Sequence, residues 1–262
     1  MIIFNTDDYG LTKEDVNRTL VSFENKVIQS TTIISNFVRV DDLKTLNDIE
    51  NISTGIHLNL VEGKSFSSAN TITDNNQFLS KKEFIKRLFL KKIDKNEIEK
   101  ELSLQIEYLM DNRVNISHID SHQNMHYLPP ILNIVVKIAS KYKISKIRGL
   151  DSEYFWFKDY SRSRAITKNS ISKIFNDKYL RQLTSTQRIL INAPGLGFPC
   201  DSLDKALLLW DNALEKYYDP KVIYEVPCHF YLSEFEYELY NSKEFLNILK
   251  KHNVKVGNFN DI

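Results

Sequence analysis

Short apolar runs alternate along this chain with longer segments whose apolar residues recur every three or four positions. The runs Ile2–Asn5, Thr31–Ser35, Thr54–Leu60, Ile116–Asp120, Lys146–Arg148, Ile189–Asn192, Ile223–Val226 and Val254–Val256 predict strands. Between them, Val16, Leu20, Phe23 and Val27 fall on one helical face, and Thr12-x-x-Asp15 predicts a cap at its start. Ile98, Leu102, Ile106 and Leu109 form a second stripe, and Ile131, Ile134, Val135 and Ile138 a third. Leu203–Tyr217 and Ser242–Lys251 predict two further helices. Strands alternating with helices make parallel βαβ units. About seven such strands suit an α/β fold closed as a TIM-like (β/α) barrel better than an open sheet. An open doubly wound sheet would usually begin with a glycine-rich phosphate turn, and the first turn here is Asp7-Asp8-Tyr9-Gly10.

Two stretches break the rhythm. Glu62–Ser80 is rich in Ser, Thr and Asn, and Ser152–Arg188 carries Trp156, Phe157 and Tyr160 without clear periodicity. Polar excursions near 62–80 and 152–188 over a barrel mouth commonly shape substrate selection. The aromatic residues either stack on a ligand or pack the loop. With no repeat and no linker, a single domain over residues 1–262 is expected.

Composition narrows the class. The 262 residues are 42% hydrophobic and 26% charged, with a formal net charge of +1, which favours neither nucleic acid nor an anionic membrane. Two cysteines, Cys200 and Cys228, make no disulfide framework. With no leader-like N-terminus and no long apolar span, the expectation is a cytoplasmic location. Oligomeric state stays open, a homodimer included.

The polar residues that carry chemistry cluster at the ends of the predicted strands. Asp7 and Asp8 follow the first apolar run, and adjacent residues there point in different directions, so one carboxylate can ligate a metal while the other faces water. His57 sits in the alternating Gly55-Ile-His-Leu-Asn-Leu60. His118-Ile-Asp-Ser-His122-Gln-Asn-Met-His126 holds three of the six histidines. His118 and His122 are too widely spaced along a strand to share an ion, which leaves His122 as the better ligand, with Asp120 and His126 as partners that orient it. His229 ends a late strand and could act as a general acid. Arg148 either pairs with Asp7 and lowers its pKa or makes a structural salt bridge. Cys228 reads as a buried structural thiol.

In Asn5-Thr-Asp-Asp-Tyr-Gly10, Gly55-Ile-His-Leu-Asn-Leu60, the His118–His126 cluster and Cys228-His-Phe230 the chain resembles the YdjC-like carbohydrate deacetylases, the chitooligosaccharide deacetylase family. The motifs keep that family's order. Asn124 stands where the family usually has His, and Phe230 where it usually has Pro. The resemblance implies a barrel related to the polysaccharide deacetylases and one divalent metal, Mg2+ favoured and Zn2+ the alternative. It implies Asp8, His57 and His122 as ligands and Asp7 as general base; His229 stays the candidate acid on its place at a strand end. The implied reaction is hydrolysis of an N-acetyl group on an amino sugar or a short N-acetylated oligosaccharide. The competing readings are a non-catalytic carbohydrate-binding barrel, for which Asn124 speaks, and another metal hydrolase, such as one acting on phosphoesters.

Overall fold

The computed structural model describes residues 1–148, 190–191, 202–231 and 233–262, the last strand of the middle part through its backbone alone. The second excursion, with Trp156, Phe157 and Tyr160, and Cys200 lie outside these residues. The strands are β1 (Ile2–Tyr9), β2 (Ser30–Ile33), β3 (Ser53–Leu58), β4 (Thr73–Asp74), β5 (Gln77–Phe78), β6 (Ile116–Ser121), β7 (Lys146–Ile147), β8 (Leu190–Ile191), β9 (Tyr224–Cys228) and β10 (Val256–Gly257). The helices are α1 (Lys13–Phe23), α2 (Val40–Asn47), α3 (Lys81–Phe89), α4 (Lys95–Asp111), α5 (Pro129–Lys141), α6 (Leu203–Tyr217), α7 (Glu234–Asn241) and α8 (Lys243–Lys251).

The large sheet is parallel throughout and curls into a TIM-like barrel. Its strands run in the order β9-β1-β2-β3-β6-β7-β8, and β10 pairs with Ile2 and Ile3 at the start of β1. The first excursion contributes a separate antiparallel hairpin, β4–β5.

Period-two alternation sorts β1 into two layers. Phe4 faces outward and meets the rings of Trp210 on α6, Tyr240 on α7 and Phe245 on α8 at centroid distances of 5.8, 5.3 and 5.7 Å. Ile3 packs with Met1 and Phe259 at the floor of the barrel. On α4, Ile98, Leu102, Ile106 and Leu109 are all fully buried, as their spacing predicts. Thr12 and Asp15 form the expected capping box at the start of α1.

The barrel interior is polar where branched aliphatic side chains would be usual. The Phe259 amide donates to Ser53 Oγ, Ser53 Oγ to Ser30 Oγ, and Ser30 Oγ to Asn5 Oδ1, at 3.1, 2.8 and 2.6 Å. Asn5 Nδ2 then donates to Asp7 Oδ1 at 2.8 Å and to Thr32 Oγ1 at 3.2 Å, and Thr32 Oγ1 donates to Asp120 Oδ2 at 3.0 Å. This column carries hydrogen bonds from the floor to the carboxylates at the mouth, so the buried groups along it are satisfied.

His118 lies in the same interior, its ring stacked 3.5 Å from that of Phe259. It fits only because residue 55 is glycine: a β-carbon there would stand 2.4 Å from His118 Cε1. Gly55→Ala should therefore force the ring or the strand aside and destabilise the fold by about 1–3 kcal/mol. Chemical denaturation would measure it, and an unchanged midpoint would contradict the packing described.

Candidate active site

β1 runs past its predicted end and carries both aspartates inside the strand. The register between β1 and β2 slips between the pairs Thr6–Thr31 and Tyr9–Ile33, leaving an extra residue on β1. Asp8 takes up the slip at φ 64°, a left-handed conformation that Asp tolerates better than most residues. The bulge turns two neighbouring carboxylates to different partners at the barrel mouth.

Asp8 faces two imidazoles. Its Oδ1 lies 3.1 Å from His57 Nε2 and 2.7 Å from His122 Nδ1. The three side chains come from β1, β3 and the 3-10 segment His122–Tyr127 that follows β6 and is kinked at Gln123 and Asn124. His57 sits level with Asp120 on the neighbouring strand, and its Nδ1 meets Asp120 Oδ1 at 2.6 Å. The second nitrogen of His122, Nε2, meets Glu62 Oε2 at 2.8 Å. Each imidazole thus turns one nitrogen to Asp8 and the other to a separate carboxylate.

Asp7 faces the cation of the barrel. Arg148, fully buried beyond the end of β7, donates from both terminal nitrogens to the two oxygens of Asp7, each at 2.6 Å. The same guanidinium reaches Asp120 Oδ2 at 2.8 Å and, through Nε, Glu225 Oε1 at 2.7 Å. Burial alone would raise the Asp7 pKa, but the Arg148 charge and its hydrogen bonds outweigh that and hold it at about 2. Burial works against Asp8 too, and the two imidazoles still keep it well below the usual carboxylate range. Burial disfavours a charged His57, yet Asp120 and Asp8 on either side drive its pKa well above the ordinary imidazole value. Burial pushes Glu225 up to about 7 in spite of Arg148.

Among the described residues, Asp7, Asp120 and Glu225 therefore share one fixed cation, Arg148, while Asp8, buried beside them, meets the two imidazoles. A proton on His57 can make good part of this deficit, and a metal ion in its place can make good more of it. Two trios bring ligand atoms close enough for an ion: Asp8, His57 and His122, or Asp7, His57 and Asp120. Arg148 already occupies both oxygens of Asp7 and one of Asp120, so the second trio competes with a guanidinium. Among the described residues Asp8 has no such competitor. The first trio is free of that competition, and each of its two histidines has a carboxylate on its other ring nitrogen, an arrangement that would orient it toward an ion.

The remaining predicted residues fall as follows. His229 follows β9, about a third exposed, with Nε2 3.6 Å from Asp7 Oδ2. Cys228 is buried, as expected. The expectation that Asp120 and His126 orient His122 is corrected: Asp120 orients His57, and His126 Nδ1 pairs with the hydroxyl of Ser121, while His118 stays at the floor. Sequence reasoning also missed Glu62, Glu225, Asn5 and Thr32. Glu225 had a readable signal, a lone carboxylate in the middle of an apolar strand. Asn124 is exposed and outside the trio, so its departure from the motif leaves the ligands untouched.

Known proteins resemble this chain in sequence and fold. Residues 1–251 match the family model described as YdjC-like protein. The chain belongs to the YdjC-like family. A carbohydrate deacetylase of Listeria monocytogenes serotype 4a (strain HCC23) is 32% identical over 156 residues, 59% of this chain and 63% of that protein. A carbohydrate deacetylase of Clostridium beijerinckii is 24% identical over 266 residues, covering 100% of this chain and 99% of its own length. The alignment with the Listeria relatives thus spans less than two thirds of their length. An Enterococcus faecalis V583 protein provisionally named for cellobiose-phosphate cleavage superposes with a TM-score of 0.75 at 20% identity, over 99% of this chain and 97% of its own, which establishes the shared fold.

If Arg148 neutralises the carboxylates as described, Arg148→Met should destabilise the protein by about 3–5 kcal/mol, because three buried carboxylates lose their counter-ion. For a chain of this size that is a fall in thermal midpoint on the order of 10 °C. A midpoint within a degree of wild type would contradict it.

Proposed function

We propose that this chain is a metal-dependent carbohydrate N-deacetylase, removing the N-acetyl group from an amino sugar or a short N-acetylated oligosaccharide. The observation that carries the reading is the convergence of Asp8, His57 and His122 beside an ionised Asp7 in a YdjC-like chain. The carbohydrate deacetylase names of the Listeria and Clostridium relatives support it.

Asp8 Oδ1, His57 Nε2 and His122 Nδ1 would hold one divalent ion, Mg2+ favoured and Zn2+ the alternative. A divalent ion, when bound there, supplies Lewis-acid polarisation of the acetamide and a more acidic water. Asp7 accepts the proton of the attacking water as the oxygen adds to the acetamide carbon. Arg148 fixes the Asp7 carboxylate through both oxygens, which sets its direction and keeps it ionised at neutral pH. Arg148 also limits its basicity, so Asp7 contributes position more than proton affinity. His229, exposed enough to meet a ligand at the mouth, donates a proton to the amine as the C–N bond breaks. The products are acetate and the free amino sugar.

The phosphoester reading needs a cation free to bind phosphate near the metal. Among the described residues Arg148 was its candidate, and that guanidinium is committed to three carboxylates. No helix among the described residues is long and apolar enough to cross a membrane. A cytoplasmic enzyme working on sugars as a monomer or a homodimer completes the proposal.

Acetate release from N-acetylated chitooligosaccharides tests it directly. Asp7→Asn should lower the rate by about 100-fold or more, the usual scale of general-base catalysis. His57→Ala and His122→Ala should lose bound metal as well as activity. Wild-type rates in Asp7→Asn, or full metal content in the histidine variants, would overturn the assignment. Sugar binding without any acetate release would establish the binding-protein reading instead.

A further inference from the structure

Glu62 stands at the head of the first excursion, outside the barrel strands, yet its carboxylate meets His122 Nε2 at 2.8 Å. For His122 to bind an ion through Nδ1, its proton must sit on Nε2, and a carboxylate accepting from Nε2 selects that tautomer. Asp120 makes the matching contact to the other ring, on Nδ1 of His57. The two supports differ in their setting. Asp120 is fully buried and shared with Arg148 and Thr32, whereas the Glu62 side chain is 45% exposed and belongs to a loop.

A loop residue can hold a ligand only if the loop itself is held. Buried polar side chains brace this one. Asn59 Oδ1 accepts from the amides of Val61 and Glu62 at 3.1 and 3.2 Å, and Asn59 Nδ2 donates to the Glu62 carbonyl at 2.7 Å. Gln105 on α4 bonds both the amide and the carbonyl of Asn59, at 2.9 and 2.7 Å. Gln105 donates in turn to Glu101, whose carboxylate accepts the amides of Phe66 and Ser67 at 3.1 and 2.7 Å. Asn59, Gln105 and Glu101 are all fully buried. Burying two amides and a carboxylate on the flank of a barrel makes sense where one backbone conformation of residues 59–67 has to be enforced.

We infer that Glu62 is a positioning residue for the metal ligand His122, held in place by the Asn59–Gln105–Glu101 brace from α4, so that the first excursion is a fixed part of the metal centre. This rests on the reading that Asp8, His57 and His122 hold the ion. The class of ligand served is a divalent cation, and the sugar need not touch Glu62.

Calorimetric titration of the full chain with Mg2+ alone and with Zn2+ alone tests the inference without reference to turnover. Glu62→Gln should weaken metal binding about 10- to 100-fold, the usual cost of losing a carboxylate behind a histidine ligand, and Glu62→Asp should recover part of the loss. The metal-free thermal midpoint should stay within about 1–2 °C of wild type, because the side chain is half exposed. In the Zn2+-loaded protein, nitrogen NMR should place the His122 proton on Nε2. Wild-type metal affinity in Glu62→Gln, with only a raised KM for the sugar, would overturn the inference and assign Glu62 to the substrate. Wild-type affinity in His122→Ala as well would instead bring down the metal-site reading itself.

Discussion

Among the described residues, the structure turns on a shortage of positive charge inside the barrel. Asp7, Asp8, Asp120 and Glu225 are buried together, and Arg148 is the fixed cation among them. Burying a carboxylate without a partner is costly, and one guanidinium cannot neutralise four. Arg148 spends its nitrogens on Asp7, Asp120 and Glu225 and leaves Asp8 to the histidines. The proton drawn onto His57 and the high pKa of Glu225 both follow from that shortage. On the proposed function, a divalent ion between Asp8 and the two imidazoles would relieve the same shortage, so the electrostatics of the network favour a cation there.

Geometry makes the charges usable. The bulge at Asp8 aims two adjacent carboxylates at different partners, one at Arg148 and one at the imidazoles. Below them, the column of Ser53, Ser30, Asn5 and Thr32 replaces the aliphatic layers usual in a barrel with hydrogen-bonded side chains that reach Asp7 and Asp120. Such a polar interior sets the direction of each carboxylate, which is what a site built from separate strands requires.

Much of this was legible in the chain. All eight predicted strands are present, because outward faces, as on β2 and β3, keep apolar or β-branched residues at every second position even where the inward face is polar. The end of β1 was misplaced because Asp7 and Asp8 look like a turn, and nothing local shows that their neighbours would pair them. Three helices went unseen: α2 buries Leu43 and Leu46, α3 only Phe84, and α7 Leu239 and Tyr240, too few positions for a clear stripe. Two of the three had caps that could be read, Ser80-x-x-Glu83 and Ser233-x-x-Glu236. At the site, the ligand candidates were recognisable because motif order brings strand ends together. Their partners were not. Which carboxylate stands behind which histidine depends on the register of β3 against β6 and on a loop braced from α4, and both are set by tertiary packing.

On the proposed function, one ion is gripped by Asp8, His57 and His122, drawn from three distant segments of the chain. Anomalous diffraction at the manganese or zinc edge, from crystals grown with that metal, tests it most directly. A single peak should appear, bonded to Asp8, His57 and His122, with Asp7 still held by Arg148. A peak between Asp7 and Asp120, or none near these side chains at saturating metal, would contradict it.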